Sequence, residues 1–232
     1  TEDKQIIHLL PARRAENLDA DLCIEDYLSV YGYKIEQEKP VVTDFNYEEF
    51  FSKIEKNNDL NEFIKFAETV RKTLEDSNKT INSKQRNFSY QKTPAKYILS
   101  YNKLKSPIKH KFDTKDFLFG DWLEYYVYWK CKLLNPDEIK IGVKIISDNN
   151  NRNEIDIIVL KNYKLFLISC KSGRIENSAL YELEALRAIT SGTFGKGAVV
   201  VSNKVPDNII NRTKELSITL ISDLNKMILP DK

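Results

Sequence analysis

The feature that most constrains this chain is a set of three apolar runs at 139–146, 155–160 and 165–168, joined by very short polar breaks. Ser147-Asp148-Asn149-Asn150-Asn151 separates the first two, and Lys161-Asn162-Tyr163-Lys164 the second from the third. A parallel crossover needs a dozen residues or more, so connections this short predict an antiparallel meander. Next comes a helical pattern, with Leu180, Leu183, Leu186 and Ile189 spaced by three. A glycine-bearing break at 191–197 then leads to the short apolar run Ala198-Val199-Val200-Val201. A helix after Pro206 and a short strand at 218–221 complete the order. The expected fold is therefore α/β, a mixed α+β sheet between helices, with three meander strands and a fourth reached by a helical crossover.

Upstream of the meander, 114–134 reads as a helix capped by Thr114 or Asp116 and dense in aromatics, from Phe117 to Trp129. The first part of the chain reads as helical too. A helix is expected over 20–33, stopped by Gly32. Another begins after Asn46, and a third carries Leu60, Phe63, Ile64, Phe66, Ala67, Val70 and Leu74. A terminal strand is expected near 5–10. We divide the chain into a helical and basic connecting region at 1–111 and a second domain at 112–232.

With 232 residues, 41% hydrophobic and 30% charged, the chain has enough apolar material for a core. No apolar run approaches the ~18 residues a membrane helix needs, so no membrane association is expected. Three cysteines without a CxxC pair predict neither a disulfide framework nor a zinc site, and fit a cytoplasmic location. The chain starts Thr1-Glu2-Asp3-Lys4 without Met, so we expect it to be part of something longer.

The net charge of +2 conceals a segregation: residues 1–76 carry −8, residues 77–111 carry +9 and residues 112–232 carry +1. The basic segment interleaves Phe88, Tyr90, Tyr97 and Tyr101 with lysines that include Lys92 and Lys96. Such a composition suits a surface that grips a nucleic-acid strand, by phosphate neutralisation and base stacking. A solvated linker with a short helix at 94–102 explains it equally well. A winged-helix-like reader over 46–111 is a weaker third reading.

The chemistry-bearing residues cluster in the meander. Asp156 precedes the Ile157-Ile158-Val159 run, where a carboxylate needs a compensating partner, and Glu154 lies two residues before it. Lys171 ends the third strand, which pairs with the one carrying Asp156. A carboxylate that holds a hard cation and an ammonium that orients water and offsets charge are what phosphodiester hydrolysis requires. An ordinary cross-strand ion pair between Asp156 and Lys171 is the structural alternative. Cys170 alternates away from Lys171 and reads as a buried small residue.

Glu124 on a helix, then Glu154-x-Asp156, then Ser169-x-Lys171 with 14 residues between Asp156 and Lys171, resembles the core of the PD-(D/E)xK nucleases, with their restriction-endonuclease-like fold. The likeness extends over 114–222. Residues 153–160, 168–173 and the stretch from Leu180 to Arg187 running into Gly192-Thr193-Phe194-Gly195-Lys196 resemble more narrowly the nuclease half of CRISPR-associated CARF-domain endonucleases.

The resemblance implies a metal-dependent endonuclease for DNA or RNA, with Mg²⁺ or Mn²⁺ as cofactor. It makes Asp156, Lys171 and Glu124 catalytic, and gives the metal Asp156, Glu124, the Cys170 backbone carbonyl and Glu154 as a further ligand. It also implies a homodimer in the full-length protein, switched on in antiviral defence by a cyclic oligoadenylate bound to a domain outside this chain. Arg187, Lys92 and Lys96 are the expected nucleic-acid contacts. One position departs from the pattern: Ser169 stands where the family has Asp or Glu. The rival function is a nuclease fold decayed at Ser169 that binds nucleic acid without cutting it.

Overall fold

The computed structural model describes residues 6–9, 15–18, 22–39, 46–75, 82–84, 86–92, 97–104, 108–109, 117–191 and 195–226. In chain order the elements are β1 (Ile6–Leu9), β2 (Ala15–Leu18), α1 (Ile24–Val30), β3 (Tyr33–Gln37), α2 (Tyr47–Lys56), α3 (Leu60–Glu75), β4 (Asn82–Lys84), β5 (Phe88–Lys92), β6 (Tyr97–Tyr101) and β7 (Ile108–Lys109). A π-helical turn at Phe117–Asp121 leads into α4 (Trp122–Lys132), β8 (Glu138–Ser147), β9 (Arg152–Lys161), β10 (Lys164–Lys171), α5 (Asn177–Thr190), β11 (Lys196–Val201), α6 (Asp207–Glu215) and β12 (Thr219–Ile221).

The mixed α/β fold expected from the sequence is present. Six strands form one sheet in the order β12-β11-β10-β9-β8-β3. β8, β9 and β10 are an antiparallel meander. β11 joins β10 in parallel after the α5 crossover, and β12 joins β11 in parallel. One apolar layer sets α1, α5 and α6 on one face through Ile24, Leu28, Leu180, Leu183 and Ile209. The other face carries α2, α3 and α4. Helix α4 is buried almost all round, which explains why its sequence lacks a polar face. Among the described residues, no helix is long and apolar enough to cross a membrane.

Helix α2 starts as its sequence predicts, with the Asn46 side chain accepting from Glu49 N at 2.9 Å. The expected helix at 20–33 is shorter. Ile24 and Leu28 are buried, whereas Leu22 and Tyr31 are exposed, and after Gly32 the chain becomes the edge strand β3. Thr114 and Asp116 lie outside the described residues, and α4 follows the π-turn instead.

The basic segment differs most from expectation. Residues 97–101 form a strand, not part of a helix, in a four-stranded antiparallel sheet β4-β5-β6-β7. Phe88, Tyr90 and Tyr101 are 0–2% exposed, and Phe88 stacks on Tyr101 with ring centroids 4.8 Å apart. These rings fill the core beside Phe63 and Phe66, so they offer no faces to bases. The physical reason is hydrophobic: each ring buries far more apolar area in the core than it could on a charged surface. Tyr101 also places its hydroxyl on Asp59, at 2.7 Å, where Lys103 supplies the counter-charge at 2.6 Å.

Candidate active site

Asp156 occupies a level at which the sheet lets go on both sides. β8 pairs with β9 through Ile141↔Ile157 and resumes at Val143↔Ile155, skipping Gly142 and Asp156. β10 pairs with β9 as far as Ile168↔Ile157 and stops before Ser169. Ile141 and Ile157 face the α4 layer while Val143 and Ile155 face the α5 layer, so both strands exchange faces at this level. Plain alternation would keep residues two apart on one face. Gly142 allows the exchange with a left-handed φ of +56°.

In the gap left by the parting strands, Asp156 Oδ2 accepts the Cys170 backbone N–H at 2.6 Å and the Ser169 hydroxyl at 3.2 Å. The carboxylate thus replaces a ladder bond and is fixed by the strand that carries the lysine. Glu154, Asp156, Ser169 and Lys171 line one open cleft of about 220 Å³, which Ala179, Glu182 and Leu183 of α5 also line. Lys171 forms no ion pair among the described residues, so the cross-strand pair with Asp156 is not made. Cys170 alternates away onto the α4 layer. Burial, with Asp156 and Glu124 nearby, pushes its thiol well above the usual cysteine range, and it stays a neutral packing group.

Glu124 approaches Asp156 from the α4 side rather than from the cleft. It is not alone there. Asp121, at the end of the π-turn, precedes Glu124 by three residues, a spacing that puts both on one helical face. Lys39 Nζ bridges them, 2.9 Å from Asp121 and 3.1 Å from Glu124. The lysine is delivered by its backbone, whose N–H reaches Ile141 O and Gly142 O at 3.2 and 3.1 Å. A Cβ on Gly142 would lie 2.6 Å from Lys39 Cβ, so only glycine admits the lysine stem.

Burial raises the Glu124 carboxyl to about 7; Lys39 opposes the rise while Asp156 and Asp121 add to it. Burial works against the Lys39 charge as well, but Glu124 and Asp121 outweigh it and hold the ammonium above its ordinary value. Among the described residues, three ligand atoms within 4.8 Å of one another occur only at Cys23, Glu25 and Glu138. There Lys140 already neutralises both glutamates, at 2.9 and 3.2 Å.

The remaining expected contacts are dispersed. Arg187 is held by Glu184 and the Gly195 carbonyl. Lys92 ends β5, and Lys96 lies outside the described residues. Sequence reasoning missed Lys39, Asp121 and Gly142. The i,i+3 pair Asp121/Glu124 was a readable signal; Lys39, 85 residues from Glu124, left none.

Comparison with known proteins bears on the family and the fold. No curated protein sequence matches the chain. Among solved structures, VC1899 from Vibrio cholerae superposes with a TM-score of 0.64 at 19% identity, covering 96% of this chain and 67% of that one. Can2 from Sulfobacillus thermosulfidooxidans, solved in complex with cyclic tetra-adenylate, gives 0.57 at 19% identity, covering 96% of this chain and 62% of its own. These likenesses establish a shared fold. Residues 112–230, which carry α4, the parted strands and the cleft, match the family described as Card1-like, endonuclease domain, and the chain belongs to that family.

Proposed function

We propose that the protein cuts phosphodiester backbones of DNA or RNA with Mg²⁺ or Mn²⁺. The observation that carries this reading is the parting of β8, β9 and β10 around Asp156, which leaves Asp156, Ser169, Glu154 and Lys171 on one cleft. The donors are oxygens, the choice of hard divalent ions, and the one sulfur nearby packs away from the cleft. Asp156 and the Cys170 carbonyl would hold the ion, with Glu154 as a further ligand from the cleft and Glu124 from the α4 side, where the cation would take the place of Lys39 as its partner. When bound, the ion would supply Lewis-acid stabilisation of a phosphoryl oxygen. Lys171 would orient the attacking water and offset charge developing on the phosphate. The Cys170 N–H and the Ser169 hydroxyl fix the Asp156 oxygen against the cleft, so little reorganisation is needed.

In this reading the chain is the effector part of a longer, CRISPR-associated antiviral nuclease. It would act in the cytoplasm as a homodimer, switched by a cyclic oligoadenylate of the kind bound in the Can2 structure. The test is cleavage of single-stranded and duplex DNA and RNA with Mn²⁺, Mg²⁺ or EDTA. Metal-dependent cutting lost in both Asp156→Ala and Lys171→Ala is the expected result; cutting that survives both substitutions refutes the site.

A second reading, a nucleic-acid-binding module without catalysis, draws on Ser169 at an acidic position and on Lys39 beside Glu124 and Asp121. Binding without cutting under every metal condition would establish it.

A further inference from the structure

At the end of β10 the chain turns from the cleft to the other face of the sheet. Lys171 lines the cleft; Ser172, next in sequence, lines a separate, shallow, water-sized hollow on the α3 side. Arg71 of α3 lines that hollow, together with Glu68, Trp122, Ser202 and Asn203. Its guanidinium lies over Gly173, so close that a Cβ on that residue would be 2.5 Å from Arg71 Nη1. Gly173 follows Lys171 by two residues, so their Cα atoms are at most about 7 Å apart, and Arg71 lies beside the chain just past the end of the strand.

The other polar groups of the hollow are already committed. Ser202 Oγ and Asn203 Nδ2 donate to the Ser172 carbonyl at 3.3 and 3.0 Å, and Ser172 Oγ donates to the Phe119 carbonyl at 3.0 Å. Glu68 is paired with Lys72 at 2.7 Å. Arg71 makes no hydrogen bond or ion pair among the described residues. Yet it is half-buried and carries five N–H donors in a planar fork. A fork of that shape, charged and held at the lip of a phosphodiester site, matches the oxygens of a phosphate.

We propose that Arg71 binds a backbone phosphate of the nucleic-acid strand next to the one positioned at Lys171, as the strand crosses the end of β10 from the α5 face to the α3 face. The contact is independent of base sequence, and it comes from outside the region that matches the endonuclease family. It rests on the nuclease reading above. Gly173 belongs to the same device, because only a residue without Cβ lets the guanidinium lie there. Its φ is outside the left-handed region, so alanine strains no backbone and acts by displacing Arg71.

The test measures binding of a labelled single strand in EDTA across a range of salt, and cleavage kinetics with Mn²⁺, for the wild type, Arg71→Ala, Arg71→Lys, Gly173→Ala and the double variant. Arg71→Ala should weaken binding about tenfold. It should also reduce the slope of log affinity against log salt by about 0.7, the contribution of one phosphate on a single strand. KM should rise with kcat unchanged. Arg71→Lys should keep the wild-type slope but only part of the affinity, and the double variant should match Arg71→Ala alone.

An unchanged slope and KM in an Arg71→Ala protein that melts like the wild type overturns the assignment while leaving the nuclease reading intact. If Arg71→Ala is unfolded, the folded Arg71→Lys and Gly173→Ala proteins decide: wild-type affinity in both overturns it. A wild type that neither binds nor cuts overturns both readings.

Discussion

Replacing Glu124 by glutamine should change how stability depends on pH, and the size of the change follows from the burial of one carboxyl group. Burial lifts that carboxyl from an ordinary 4.5 to about 7, despite the Lys39 ammonium at 3.1 Å. Between those values the folded protein keeps a proton that the unfolded chain releases. Its stability therefore falls as pH rises, by about 1.4 kcal/mol per unit, and the loss is complete once Glu124 has titrated. Over the full window this amounts to about 3 kcal/mol.

Glutamine keeps the shape of the protonated acid and cannot titrate. Near pH 4.5 the two proteins should be close in stability; near pH 8.5 the glutamine variant should be the more stable by about 3 kcal/mol. Urea unfolding in EDTA at several pH values, with m unchanged between the proteins, reads this directly. A difference that stays constant within about 0.5 kcal/mol over that range would refute the desolvated environment argued for Glu124. Lys39→Met, which removes the charge opposing the rise, should carry the window above pH 7. Under the nuclease reading, cutting should increase across the same interval, because the ligand must lose its proton to hold a cation.

Gly142→Ala should cost about 1–3 kcal/mol in urea unfolding, since it forces a side chain into a left-handed φ and against Lys39; a cost under about 0.5 kcal/mol would mean that the lysine does not cross there. Ser169→Glu sets a second carboxylate beside Asp156 and should lower the Mn²⁺ concentration for half-maximal cutting several-fold, which a metal titration will show; no change would remove Ser169 from the ligand position. Phe88→Ala should cost about 3–5 kcal/mol by the same unfolding assay, because the ring is fully buried against Phe63, Phe66 and Tyr101. A variant with wild-type stability but weaker nucleic-acid binding would instead restore the stacking role.

What the sequence determined by itself was the local and the periodic. Short polar breaks between apolar runs compelled the β8–β9–β10 meander, the spacing of Leu180, Leu183 and Leu186 the α5 crossover, and Asn46 the start of α2. Those elements carry Asp156, Ser169 and Lys171 on neighbouring strands, so half of the candidate site was legible in the order and spacing of its residues. Phe88, Tyr90 and Tyr101 show where composition fails: a basic strand that buries one face in a core reads like a basic stacking surface, because charge counts do not register which face a ring takes.

Only the tertiary structure decided what surrounds Glu124 and where the sheet opens. The ion-pair bridge from Lys39 joins residues 85 apart. It depends on a glycine whose missing Cβ matters only once the segment after β3 lies across it. Arg71 meets Gly173 in the same way, across a distance in sequence that no periodicity spans. Such contacts follow from two surfaces being packed together, and a linear pattern records each surface without the other.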